Sequence, residues 1–193
     1  MNIFLKNTIR ILNFFNFSII KVFPRHSVRF AKKYFKNKPL TIVEIGTFEG
    51  KNARNILESL NIKEMFLIDP YETYKDYLNS EPRANNSFLS KAEKIAKKRL
   101  GKYKNKIIWL KKFSDDAIKE IPNLVDFIYI DGNHEYKYVK KDLENYWGKI
   151  KKGGILAGHD VGWKGVSDAL IEFSYKNKLS PFLTREDWWI IKE

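Results

Sequence analysis

The chain has 193 residues, enough to fill one core and marginal for two. It contains no cysteine, which excludes disulfides, cysteine-ligated zinc and thiol nucleophiles. The net charge of +13 is concentrated in two places: residues 1–39 carry nine Lys or Arg and no acid, and residues 91–112 carry ten against the single acid Glu93, so the remainder is net negative.

Residues 1–38 read as a basic amphipathic N-terminal extension of one or two helices broken near Pro24. Its Phe14, Phe15, Phe17, Ile19 and Ile20 suit packing on the main domain or on a second subunit, and the basic residues equally suit peripheral contact of residues 1–36 with an anionic membrane. No apolar run reaches the roughly 18 residues of a membrane span. No small-residue cleavage site follows the apolar N-terminal stretch, so a cytoplasmic protein is expected.

From residue 39 to 193 the pattern becomes a single domain of alternating apolar runs and amphipathic stretches. LTIVEIG (40–46) predicts a strand and NARNILESL (52–60) a helix; EMFLIDP (64–70) is the next strand and SKAEKIAKKRL (90–100) the next helix. NKIIWLKK (105–112) is a third strand, and SDDAIKEI (114–121) a short helix with Ser114 as its N-cap. VDFIYIDG (125–132) is the fourth strand, EYKYVKKDLENYWGKI (135–150) a helix, and GILAGHD (154–160) the fifth strand. GVSDALIEFSY (165–175) makes a last helix before a terminal strand, DWWIIKE (187–193). Short apolar strands separated by helices mean an α/β fold: a Rossmann-like, mostly parallel sheet with helices on both faces.

In such a sheet ligands bind beyond the C-terminal strand ends, and here those ends are polar. EIGTFEG places Gly46 in the turn after strand one and Gly50 near the start of the next helix, where backbone can approach a ligand. Asp69 ends strand two, 19 residues beyond Gly50, a position from which an acid accepts hydrogen bonds from a ribose diol. Together they point to a nucleoside-containing ligand. Asp131, His134, His159 and Asp160 stand at two further strand ends. They supply the groups of a mixed nitrogen and oxygen metal site or of general acid-base chemistry. The structural alternatives are that His134 caps the following helix and that His159 bonds the loop before Trp163.

The series EIGTFEG, LIDP, FIYIDGNHEY and KKGGILAGHDVGWKGV resembles the class I S-adenosylmethionine-dependent methyltransferases, within them the small bacterial and archaeal branch related to sugar and macrolide O-methyltransferases. The resemblance covers about residues 38–192. It implies that Glu44 lies beneath the amino-acid end of the cofactor, that Gly46 and Gly50 shape its loop, that Asp69 binds the ribose, and that Ser114 or Asp115 lies near the adenine. Several relatives also hold a divalent metal, magnesium or manganese, for which the matching residues are Asp131, His159 and Asp160. A histidine at 159 departs from the all-carboxylate pattern of those relatives.

The reaction implied is O-methylation of a hydroxylated small molecule, a sugar or glycolipid, with Asp131, His134 and His159 as the catalytic groups. The rival is a nucleic-acid or membrane-surface binding module on the same fold without turnover. Nucleic acid is the weaker partner because the site edge is acidic and the positive charge is segregated from it. The apolar N-terminal segment favours a homo-oligomer.

Overall fold

The computed structural model describes residues 24–74 and 85–193. The five apolar N-terminal residues from Phe14 to Ile20, and the whole segment expected before Pro24, lie outside the described residues. The elements in chain order are α1 (His26–Phe35), β1 (Leu40–Ile45), α2 (Lys51–Ser59), β2 (Ile62–Ile68), α3 (Asn86–Leu100), β3 (Ile107–Leu110), α4 (Ser114–Ala117), β4 (Val125–Ile130), α5 (Tyr136–Trp147), β5 (Ile150–Gly158), α6 (Lys164–Asn177), β6 (Phe182–Thr184) and β7 (Asp187–Ile191). No helix among the described residues is long and apolar enough to cross a membrane.

The strands form one sheet in the order β3-β2-β1-β4-β5-β7-β6. β1 to β5 run parallel, and β7 runs antiparallel between β5 and β6. Every residue of β4, VDFIYI, is buried, as a strand covered by helices on both faces must be. Its alternate side chains feed two cores, Val125, Ile128 and Ile130 into one and Phe127 and Tyr129 into the other. Ile45 lies level with Ile68 on one side and Ile130 on the other, and Ile130 with Gly158. The polar residues that follow these four strands therefore share one rim. Strand order reverses between β1 and β4, the crevice where this architecture binds ligands.

The helix α1 belongs to this body. Its Val28, Ala31 and Phe35 are buried in the same core as Phe127 and Trp189. At its start, the Ser27 backbone N–H and Oγ–H both donate to Asp187 Oδ2 at 2.8 Å, so a buried carboxylate meets the first turn of a helix, whose amides carry positive partial charge.

Three local expectations are corrected. β5 starts at Ile150, four residues early: Lys151 and Lys152 hide its beginning, although Ile150 is buried opposite Val125 and Lys151 pairs with Asp126. Ser114 is the first helical residue, with Phe113 in the cap position and no side-chain cap. β6 has no apolar alternation to announce it; its Phe182 and Leu183 are exposed, and Phe182 stacks on Trp189 at 5.5 Å.

Candidate active site

A cavity of about 400 Å³ opens at the C-terminal ends of β1, β2 and β4, within the roughly 300–1,000 Å³ range of small-molecule sites. Its walls include the loop from Gly46 to Glu49, Asn52 on α2, Asp69 after β2, Phe88 on α3, and Asp131 with His134 after β4.

The loop after β1 is shaped by close approach. Gly46 has φ +85°, and a Cβ there would lie 2.0 Å from the Asp131 carbonyl oxygen, so only glycine passes. Gly50, at φ +72°, has its would-be Cβ 2.9 Å from Leu100 Cδ1, so it serves the contact with α3. Asp69 lines the cavity and also fixes this loop: its Oδ2 accepts from the Phe48 amide at 2.7 Å and its Oδ1 from the Tyr71 amide at 2.8 Å. The Tyr71 hydroxyl donates to the Phe48 carbonyl at 3.0 Å. Burial raises the Asp69 carboxyl above its ordinary range against these amide bonds.

Glu44 is fully buried and lies under the floor. Its Oε1 accepts from Asn52 Nδ2 at 2.9 Å, and its Oε2 has no hydrogen-bond partner among the described residues. Burial pushes its carboxyl up to about 8, with the Asn52 bond opposing. Two further atoms of the cavity wall, Thr47 Oγ1 and Asn52 Oδ1, are buried without partners among the described residues. Unpartnered buried polar atoms are costly unless something meets them.

Of the two residues expected near the adenine, the structure brings only Ser114 to the cavity. Asp115 turns toward α5, where Lys141 Nζ donates to it at 2.6 Å and Asn145 Nδ2 at 3.2 Å. A buried neighbour holds Ser114 instead: Asp142 hydrogen-bonds it, and burial pushes the Asp142 carboxyl up to about 7.

Beyond β4 and β5 two histidines converge on one acid. His134 Nε2 lies 2.9 Å from Asp160 Oδ2, and His159 Nδ1 lies 2.9 Å from Asp160 Oδ1. At the head of α5, Asn133 Oδ1, not His134, accepts from the Glu135 amide, whereas His159 does bond the loop before Trp163, through Asp160. Asp160 reaches between the imidazoles from a left-handed backbone, φ +58°, which Asp tolerates better than most residues. Burial opposes its ionisation, yet the bonds to His134 and His159 hold its carboxyl well below the usual range. The same pairing raises His159 against the effect of its burial. His134 lines the large cavity and stacks against Trp163 at 5.1 Å, whereas His159 stands behind it.

Sequence reasoning missed Arg25, which lines the cavity from the residue before α1. Its Nη1 donates to Tyr129 Oη at 2.7 Å and to Asp131 Oδ2 at 2.8 Å, and the Tyr129 hydroxyl donates to Asp187 Oδ1 at 3.1 Å. Burial pushes the Asp131 carboxyl up to about 6, with Arg25 and His159 opposing. A lone arginine in a basic segment carries no periodic or motif signal. Asn52 and Thr47 were also missed; their place in and beside the EIGTFEG loop was the one available hint.

The ligand set expected for a metal, Asp131, His159 and Asp160, does not converge. Among the described residues the converging groups are Asp131 with His134 and Asp160, and His159 with Asp160 and Glu186, each with ligand atoms within 4.8 Å of one another. In the first group Arg25 already stands on Asp131 Oδ2 and the two histidines on the two oxygens of Asp160. A divalent ion would have to displace a guanidinium, so the arrangement as it stands does not fit one.

Residues 43–161 match the family described as "Methyltransferase domain", well over half of the chain. The chain belongs to this methyltransferase family. It is 31% identical over 134 residues to the uncharacterized protein R132 of Acanthamoeba polyphaga mimivirus, an alignment covering 65% of this chain and 53% of that protein; the match thus spans about half the length of the viral relative. Among solved structures, a candidate caffeoyl-CoA O-methyltransferase from Staphylococcus aureus superposes with a TM-score of 0.66 at 17% identity, over 96% of this chain and 92% of that one. The O-methyltransferase from Bacillus cereus in complex with SAH, S-adenosylhomocysteine, superposes with a TM-score of 0.62 at 13% identity, over 100% of this chain and 92% of that one. The fold of this methyltransferase domain is the mostly parallel, Rossmann-like sheet expected from the strand pattern, of the class I type that the resemblance implied.

Proposed function

We propose that this protein binds S-adenosylmethionine in the 400 Å³ cavity and methylates a hydroxyl of a small acceptor, a sugar or glycolipid. The observation that carries the reading is the cavity wall at Thr47 and Asn52 with Glu44 beneath it, where Thr47 Oγ1, Asn52 Oδ1 and Glu44 Oε2 are buried and unpartnered among the described residues. Such acceptor atoms suit the ammonium of an amino acid, and Asp69, which holds the Phe48 amide of the same loop, keeps lone pairs for a ribose diol. The SAH held by the Bacillus cereus relative is the product form of this cofactor.

When bound, the cofactor supplies a methyl group already activated by its sulfonium, so the protein's task is alignment and proton removal. Asp69 and the loop it pins set the depth of the ligand, while Asn52 and Thr47 hold its amino-acid end. His134 faces the cavity with Nε2 toward Asp160. As the imidazole that lines the cavity with a carboxylate behind it, His134 is the group this reading assigns to take the proton of an acceptor hydroxyl. With the cofactor bound, its methyl group would pass to the acceptor oxygen and its sulfur would keep the bonding electron pair, while His134 would take the hydroxyl proton. Trp163, exposed beside His134, offers a flat apolar face of the kind that packs on a sugar ring.

Magnesium or manganese assistance is not part of this reading, because the acids that would bind the ion are already paired. Within α1 the apolar side is buried on the sheet, so contact with a membrane or a second copy is assigned to the segment before Pro24.

Titrating S-adenosylmethionine into the protein by calorimetry tests the reading. Saturable heat at one equivalent, weakened by Asp69→Ala, is expected. A folded protein that gives no heat would sink it and favour the binding module without turnover.

A further inference from the structure

Asp131 directly follows β4 at the point where the cofactor cavity meets the acceptor side, and its carboxylate faces Arg25, His159 and Asp160. Of the two cationic neighbours, Arg25 makes the direct bond, at 2.8 Å to Oδ2. The arginine is held in place from three directions. Its Nη1 also meets Tyr129 Oη, its guanidinium lies 5.4 Å from the Tyr129 ring centroid, and the helix it precedes is tied down by Ser27 on Asp187 and by Val28, Ala31 and Phe35 in the core. Tyr129 itself donates to Asp187. Arg25, Tyr129, Asp187 and Ser27 thus form a chain of hydrogen bonds, its two ends joined by the backbone from residue 25 to 27, that aims a permanent cation at Asp131.

We propose that Arg25 takes at Asp131 the place that a divalent ion holds in metal-assisted relatives, so that this site works with a built-in cation and excludes a bound metal. Arg25 is a positioning residue: it keeps the Asp131 carboxylate ionised and oriented, and its charge does not depend on the supply of an ion. A dication near Asp131 would meet the guanidinium at close range, and the only other acid in the converging group, Asp160, is already bonded to both histidines. The arginine thereby turns a set of residues with metal-ligand character into a site that repels metal. The proposal rests on the methyl-transfer reading for the use made of Asp131, but its test needs no turnover.

The probe is Mn²⁺ titrated into the full chain, with the free ion followed by electron paramagnetic resonance. The wild-type protein is expected to show no stoichiometric site below millimolar Mn²⁺, and Arg25→Lys, which keeps a cation, to behave the same way. Arg25→Ala is expected to gain one equivalent of Mn²⁺ bound at least about tenfold more tightly than any wild-type binding, and the further change Asp131→Asn to abolish it. One tight Mn²⁺ in the wild type that disappears in Asp131→Asn overturns the proposal whether or not Arg25→Ala folds. So does an Arg25→Ala protein with native circular dichroism that gains no Mn²⁺. Failure of the methyl-transfer reading would instead appear as absent S-adenosylmethionine heat, and would leave these Mn²⁺ results standing.

Discussion

Gly46 passes directly beneath the Asp131 carbonyl: a Cβ on the glycine would lie 2.0 Å from that oxygen and 2.8 Å from the Cα of Gly132. Backbone meets backbone here, so no side-chain rotation can relieve an added methyl. Gly46→Ala also forces alanine to φ +85°. The expected cost is about 3 kcal/mol or more, read as a lowered midpoint in urea, and any folded fraction should have lost cofactor affinity because Asp131 and the loop move apart.

Asp69 acts through the loop as much as through a ligand. Asp69→Ala frees the Phe48 and Tyr71 amides, which it now receives at 2.7 and 2.8 Å. Stability should fall by about 2–3 kcal/mol, and S-adenosylmethionine affinity by about tenfold or more. Calorimetry separates the two: a variant with reduced stability and unchanged affinity would remove Asp69 from the ligand site.

The buried Glu44 makes stability depend on pH. Its carboxyl stands at about 8 in the folded protein against an ordinary 4.5, so the folded state holds the proton more tightly than the unfolded one. Its favourable contribution is complete below about 4.5 and is lost as pH rises through about 8. Asp131 and Asp142, raised to about 6 and about 7, act in the same direction in overlapping windows. Glu44→Gln should therefore flatten, without abolishing, the fall in melting temperature across this range; parallel curves for the two proteins would contradict it.

The docking of α1 hangs on Asp187, which accepts from Ser27 twice and from Tyr129 once. Asp187→Asn should cost about 2 kcal/mol and speed hydrogen exchange at the amides of α1 while the amides of β4 keep their protection. Equal acceleration in both elements would mean that α1 is no separable unit.

Trp163 tests the acceptor side alone. Its ring stacks on His134 and is 52% exposed, away from Asp69 and Asn52. With an active sugar acceptor, Trp163→Ala is expected to raise the acceptor KM several-fold and to leave S-adenosylmethionine affinity unchanged. A matched loss of both would place the tryptophan in the general stability of the rim.

The sheet was legible because its strands are buried on both faces and read as unbroken apolar runs, VDFIYI above all. The rim followed, since polar residues right after such runs in a parallel sheet have one place to go. Side-chain direction was less legible. The spacing of His134, His159 and Asp160 brings them to adjacent strand ends, but the left-handed backbone at Asp160 decides which imidazole meets which oxygen. Ser114 and Asp115 stayed alternatives because a four-residue helix has too few turns for periodicity to tell its faces apart. Arg25 reaches Asp131 across 106 positions, and nothing in the composition of the basic segment distinguishes that arginine from its neighbours.

The tie between Ser27 and Asp187 spans 160 positions, and it has a consequence for biosynthesis. On the ribosome Arg25 emerges long before the strand whose first residue anchors its helix. The cavity walls contributed by β1, β2 and β4 can assemble while α1 still lacks its latch, and the guanidinium is fixed over Asp131 only after residue 187 has been made. A nascent chain halted between the two would hold the parallel sheet and the glycine loop with an acidic, undefended rim. Competence at this rim waits on the synthesis of residue 187.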